Sequence, residues 1–172
     1  MKGAPEIVAG MTAVGAAVRA AVRVPLGVQI LAAANREALA VAHAVCADFV
    51  RVENFAFAHV ADEGLMSRAD AGPLLRYRRQ IGGERVAIFA DVKKKHAAHA
   101  LTGDISLTDA AKVSVWCGAD GVIITGGMTG EPATVEDVAR AQEAVMAPVF
   151  VGSGVTAENL GSFWPHADAF IV

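Results

Sequence analysis

Six short apolar runs, each separated from the next by a stretch of helical spacing, limit what this chain can fold into more than any other feature. They are Leu26–Leu31, Phe49–Glu53, Val86–Val92, Gly121–Thr125, Pro148–Gly152 and Ala169–Val172. Uninterrupted runs of this length are what strands of a parallel sheet look like when both faces are covered. Their alternation with helices predicts consecutive βα units with right-handed crossovers. The helices are expected over Ile7–Val22, with Pro5 at a position the first turn tolerates, and over Arg36–Cys46 behind Asn35 as N-cap. Further helices are expected from Asp70 to Ile81, from Ser106 to Cys117, from Thr134 through Val145 and from Thr156 to Phe163. Asp109 and Asp137 stand three residues after Ser106 and Thr134, a partial capping box in each case. The stretch carrying His59, Asp62, Glu63 and Gly64 reads as a long loop.

A doubly wound sheet and a (β/α)8 barrel both satisfy this order. The first expects a G-x-G-x-x-G turn after its first strand, and none occurs there. Gly152-Ser153-Gly154 comes late instead, and barrels often build a phosphate site after strands 7 and 8. The expected fold is therefore α/β: a partial (β/α)8 TIM barrel of six consecutive parallel strands, numbers 3 to 8, in one incomplete domain. A complete barrel takes about 250 residues, whereas this chain has 172 and stops inside the run Phe170-Ile171-Val172. The first two strands and the closing segment are thus expected to lie outside it. An open barrel would have to pair its edges with another chain, so a homo-oligomer is among the expected states.

Composition narrows the function classes. The chain is 54% hydrophobic with a mean hydropathy of +0.42, yet a membrane span needs roughly 18 consecutive apolar residues, and Arg19, Arg23 and Pro25 interrupt the early apolar stretch. Alanine-rich helices on a covered sheet account for the average. A net charge of −3 gives no support for nucleic-acid binding; Arg76-Tyr77-Arg78-Arg79 reads as a solvated helix face. Cys46 and Cys117 lack metal-ligand spacing and are expected as reduced, buried thiols. Residues 1–23 have some likeness to an Arg-bearing transit peptide, but an amphipathic barrel helix fits them better. The expected location is intracellular, cytoplasmic or organellar, the mitochondrion included.

In barrel enzymes the reacting groups sit at the C-terminal ends of strands. Arg51 and Glu53 share one strand face and are expected either to form a charged pair at the mouth or to close a layer as a structural ion pair. If the next strand stays extended, Asp91, Lys93 and Lys95 share a face with His96 just beyond, a set able to supply a base, an anion-binding cation and an acid. Lysine there can also form a Schiff base if burial lowers its pKa. Lys94 is expected to be solvated. An unpaired carboxylate after Ile88-Phe89-Ala90 is costly to bury, which favours a functional Asp91. His96 and His99 lie one helical turn apart and with Asp91 form a possible metal set, though a structural His99 fits better; His43, His59 and His166 are expected at surfaces. Gly126, Thr129 and Gly130 form one candidate anion-binding loop, and Gly152, Ser153 and Gly154 a second that feeds a helix N-terminus. The sequence identifies neither a metal nor a cofactor.

The same stretches resemble the BtpA family, the BtpA/SgcQ group. Those that match are Pro25-Leu26-Gly27-Val28, Asp48-Phe49-Val50-Arg51-Val52, Ala61-Asp62-Glu63-Gly64, Ala90-Asp91-Val92 with Lys95-His96-Ala97, Thr125-Gly126 with Thr129-Gly130, and Val151-Gly152-Ser153-Gly154-Val155-Thr156. The resemblance covers nearly the whole chain in order. Many members resemble Asp-Val-His-Val-Lys-His where this chain has Asp91-Val92-Lys93-Lys94-Lys95-His96, so a histidine's role at position 93 does not carry over; the lysine form resembles a eukaryotic branch. The resemblance implies a TIM barrel similar to the ribulose-phosphate-binding barrels and, from the family's cyanobacterial founder, a role in accumulating photosystem I proteins. Two functions follow as expectations: a lyase, isomerase or hydrolase of a small phosphorylated molecule, or a non-enzymatic assembly or stability factor for membrane complexes. An inactive remnant is a third.

Overall fold

The computed structural model describes residues 3–172. Its elements run α1 (Pro5–Ala21), β1 (Gly27–Val28), α2 (Asn35–Ala44), β2 (Phe49–Val52), β3 (His59–Ala61), β4 (Gly64–Met66), α3 (Ala71–Gln80), β5 (Ala87–Val92) and β6 (Ala97–Ala98). A 3-10 turn (Ala100–Thr102) follows, then α4 (Leu107–Trp116), β7 (Gly121–Ile124), α5 (Val135–Ala144), β8 (Val149–Val151), α6 (Leu160–Phe163) and β9 (Ala169–Phe170). The six runs form one parallel sheet ordered β1-β2-β5-β7-β8-β9, open at β1 and β9. This is the arc of a barrel made by six consecutive βα units.

Alternation along the strands explains both faces. Val50, Val52, Ile88, Ala90, Val122, Ile124, Val149 and Val151 are fully buried. They pack against Leu39, Val41, Leu74, Ala111, Val138 and Ala141 of the covering helices. Each such side chain is worth about 1.5–3 kcal/mol relative to exposure. On the inner face Phe49, Phe89 and Phe150 meet, with ring centroids 4.4–6.2 Å apart, and plug the arc below the strand ends.

A repeat closes the opposite end. Ala47-Asp48, Ala119-Asp120 and Ala167-Asp168 each precede a strand. Each aspartate accepts the N–H of the strand before it: Asp48 from Leu26, Asp120 from Ile88 and Asp168 from Val149, at 2.8–2.9 Å. Each also returns its own N–H to that residue's carbonyl. The strands are thereby tied in pairs, β1 with β2, β5 with β7 and β8 with β9.

Several local expectations change. The first strand keeps only Gly27–Val28 because the chain then bends toward Glu53, whose carboxylate accepts from Gln29 Nε2 and Ala33 N–H. Asn35 does not cap α2; its side chain is buried and donates to Glu53 O and Asp70 Oδ2. The loop after β2 contains a hairpin, and β4-β3-β6 makes a small antiparallel sheet. The segment after Thr156 is mostly turn, with α6 reduced to one turn. Cys46 is exposed and Cys117 half-buried, since Cys46 has left α2 at a positive φ of 56°. His59 is buried in β3 rather than at a surface. Arg78 is not simply solvated; it ties α3 to Asp120 at 2.7 Å and to Val86 O. The two caps hold as expected, Ser106 accepting from Asp109 N–H and Thr134 from Asp137 N–H. No helix of the described residues is long and apolar enough to cross a membrane.

Candidate functional site

At the C-terminal ends of β2, β5 and β7 lies a cleft of about 360 Å³, walled by Gln29, Leu31, Arg51, Glu53, Asp62, Glu63, Asp91, Lys94, Lys95, His96 and Thr129. That volume suits a small metabolite. Arg51, Glu53, Asp91, Lys95, His96 and Thr129 are therefore brought together. Gly126, Gly130, Gly152, Ser153 and Gly154 are not in its wall.

Arg51 and Glu53 point into the arc but do not pair with each other. Arg51 Nε donates to both oxygens of Asp91, at 3.0 and 3.1 Å, because Glu53 is drawn upward to Lys94. The Asp91 side chain is 1% exposed. Burial pushes its pKa up to about 6; the Arg51 guanidinium opposes this and does not cancel it. Desolvation wins here because a carboxylate sealed from water loses more than one partner returns. Asp91 is still ionised at neutral pH, and Arg51 is fixed by it and by Gly152 O.

The lysine run does not continue the strand. Lys93 and His96 have φ of 44° and 56°, so the chain turns twice and sends three adjacent lysines to three places. Lys93 leaves the Asp91 face and donates to Thr102 O at 3.1 Å. Lys94 is buried, against expectation, with its ammonium 3.5 Å from both Glu53 and Glu63. The hairpin brings Glu63 there, and that contact is not visible in sequence spacing. Lys95 remains in the cleft: its N–H donates to Thr125 Oγ1, while its ammonium has no partner among the described residues. Burial, then the neighbouring Arg51 charge, hold its pKa below the ordinary lysine value, with Asp91 opposing. His96 Nε2 lies 2.8 Å from Thr129 Oγ1, and its N–H donates to Gly127 O.

His96 and His99 do not converge. His99 Nε2 meets Lys94 O at 3.0 Å and faces His59, 5.6 Å between centroids. Both border a second cavity behind Lys94 of about 30 Å³, the volume of one water. His59 Nε2 and Asn54 Oδ1 border the same cavity, buried and without partners among the described residues. Burial, then His99, hold His59 below its ordinary pKa. Among the described residues no three His, Cys, Asp or Glu side chains are grouped as metal ligands.

The two glycine loops pack on each other beside the cleft. A Cβ at Gly154 would strike the Glu131–Pro132 backbone, and Ser153 Oγ donates to Glu131 O at 3.0 Å. Gly152 N–H is used by Ile124 O; a Cβ there would meet Ile123, Thr125 at 2.9 Å and Arg51 Nη2 at 3.4 Å. Gly152 thus leaves room for the Ile123 and Thr125 side chains, with the guanidinium at ordinary contact distance. The N–H groups of Gly126, Gly127, Thr129 and Gly130 donate to nothing among the described residues, while Met128 N–H is held by the Glu131 carboxylate. Gln29, Glu63 and Lys94 are site residues missed in the sequence. Gln29 alone left a signal, a polar residue within an apolar run.

The model of the BtpA family matches residues 1–172. An uncharacterised mitochondrial protein of Caenorhabditis elegans is 49% identical over 146 residues, covering 85% of this chain and 52% of its own length. The photosystem I biogenesis protein BtpA of Synechocystis is 38% identical over 170 residues, covering 98% of this chain and 58% of its own. The chain thus spans just over half the length of these relatives. Two solved structures share the fold: thiamine phosphate pyrophosphorylase from Pyrococcus furiosus (TM-score 0.62, 16% identity, 100% of this chain and 69% of the other) and a candidate phosphonomutase from Burkholderia cenocepacia (0.63, 17%, 95% and 70%).

Proposed function

The chain belongs to the BtpA family, and from that premise and the cleft we propose that it is an enzyme acting on a small phosphorylated metabolite. The observation that carries this reading is one cleft at the strand ends holding an unpartnered lysine, Lys95, between a fixed guanidinium and His96. A cation without a partner, beside a second cation, attracts an anion. Thr129 and the unused amides of Gly126, Gly127 and Gly130 extend the anion-binding surface beside it, with Gly152, Ser153 and Gly154 behind them. Lys95 serves as the binding cation and His96 as proton donor. Asp91 orients Arg51, which revises its expected role as base. The fold neighbours' names mention phosphate and phosphonate, but at 16–17% identity they support the fold and no more.

The test is thermal denaturation against a panel of phosphorylated metabolites. A ligand at about 100 times its Kd adds about 2.7 kcal/mol, or roughly 5–10 °C for a domain of this size. Lys95→Gln should abolish most of that rise. A melting temperature unchanged across the panel would sink the reading. The Synechocystis relative's name favours a second reading, an assembly factor for membrane complexes. Affinity capture of the tagged protein from its own cells tests it; recovery of no membrane-complex subunit counts against it.

A further inference from the structure

We propose that Lys95 is a covalent nucleophile, forming a Schiff base with a carbonyl group of the phosphorylated ligand; this rests on the binding role assigned to the cleft above. The other two lysines of the run are excluded by their surroundings. Lys93 spends its ammonium on Thr102 O, and the Lys94 ammonium lies between two carboxylates, 3.5 Å from each. Of the three, only Lys95 faces the cleft with no hydrogen bond or ion pair to its ammonium among the described residues, and its backbone is pinned over the neighbouring strand end by Thr125. The nearby Arg51 is held in place by Asp91, so the cation beside Lys95 cannot swing away. Partial burial and a fixed like charge are the two conditions that free a lysine's lone pair, and both lower its basicity here.

The step balances without an added oxidant or reductant. The neutral Lys95 Nζ attacks the carbonyl carbon, and the C=O π pair moves to oxygen, which takes a proton. A second proton lets that oxygen leave as water. One of the two protons comes from Nζ and the other from His96 acting as the acid, leaving a protonated imine. The imine draws electrons from the adjacent carbon, which eases loss of its proton or cleavage of its carbon–carbon bond. The cleft then belongs to lyase or isomerase chemistry on a phosphorylated aldehyde or ketone, and hydrolysis of the imine returns the lysine.

The experiment is borohydride reduction of the native-length protein with dihydroxyacetone phosphate, followed by peptide mapping. In parallel, glycerol 3-phosphate, which has no carbonyl, is used in thermal denaturation. We expect one reduced adduct on Lys95, formed at least tenfold faster than on exposed Lys112 and slowed by glycerol 3-phosphate. Lys95→Arg should lose the adduct but keep the thermal shift. Labelling of Lys95 no faster than Lys112, with the thermal shift intact, overturns the Schiff base and leaves the binding role standing. Loss of both adduct and shift overturns both.

Discussion

Neighbouring residues of one type have different energies here because their partners differ. Lys94 pairs with buried Glu53 and with the more exposed Glu63, so Lys94→Ala, which leaves Glu53 buried without its cation, should cost about 3–5 kcal/mol, as for other buried pairs that lose one member. Lys95→Ala should cost about 0.5 kcal/mol or less while removing ligand binding. Urea denaturation of the two variants checks the contrast; equal costs would contradict the assigned partners. Asp91 gives a pH signature. Its folded pKa of about 6 lies above the 3.8 of a free aspartate, so between those values the native state holds more proton than the unfolded chain. Its contribution to stability is therefore greatest below the lower value and declines as pH rises to about 6. In Arg51→Met the opposing charge is gone and the pKa rises further. The stability gap to wild type should then keep widening above pH 6, as melting temperatures from pH 5 to 8 would show.

The elements are held as strand pairs by the three aspartate rings at the far end of the barrel. Asp120→Ala strands the Ile88 amide and frees Arg78, at about 1–3 kcal/mol. Ser106→Ala, losing one exposed cap, should cost about 1 kcal/mol. Hydrogen exchange localises the difference: the Ile88 amide should lose protection in Asp120→Ala and keep it in Ser106→Ala. Asp48 has the opposite pH sign to Asp91. The Leu26 amide is the main cause holding its pKa down, so its stabilisation is present above the ordinary carboxylate range and fades as pH falls. The Ala-Asp repeat was readable in the sequence, yet its meaning depended on knowing that β1 and β2, or β8 and β9, are neighbours. Gly152 was likewise visible as a glycine at a strand end; that it clears space for Ile123 and Thr125 was not. Gly152→Ala should cost about 1–3 kcal/mol by overpacking.

For the whole molecule the open sheet is the governing fact. β1 and β9 are its outer strands, and α1 has no buried residue, with Ile7, Val14 and Val18 exposed. Unpaired edges and an uncovered apolar helix drive association. This 172-residue chain, expressed as it stands, should show a concentration-dependent mass above 17.7 kDa by light scattering. A constant monomer mass would mean that these surfaces are less adhesive than their composition implies.

Local patterns were enough for the parallel order of six strands, the caps at Ser106 and Thr134, and the placing of Arg51, Asp91, Lys95 and His96 at strand ends. Strand alternation, apolar periodicity and capping act over a few residues, and their signals survive without the rest of the fold. The choice among Lys93, Lys94 and Lys95 has no such local code. It follows from two backbone turns at Lys93 and His96, and from a hairpin that brings Glu63 beside Glu53. A buried ammonium goes wherever carboxylates converge on it, and those carboxylates arrive from separate loops. Packing therefore decided which lysine was neutralised and which was left facing the cleft.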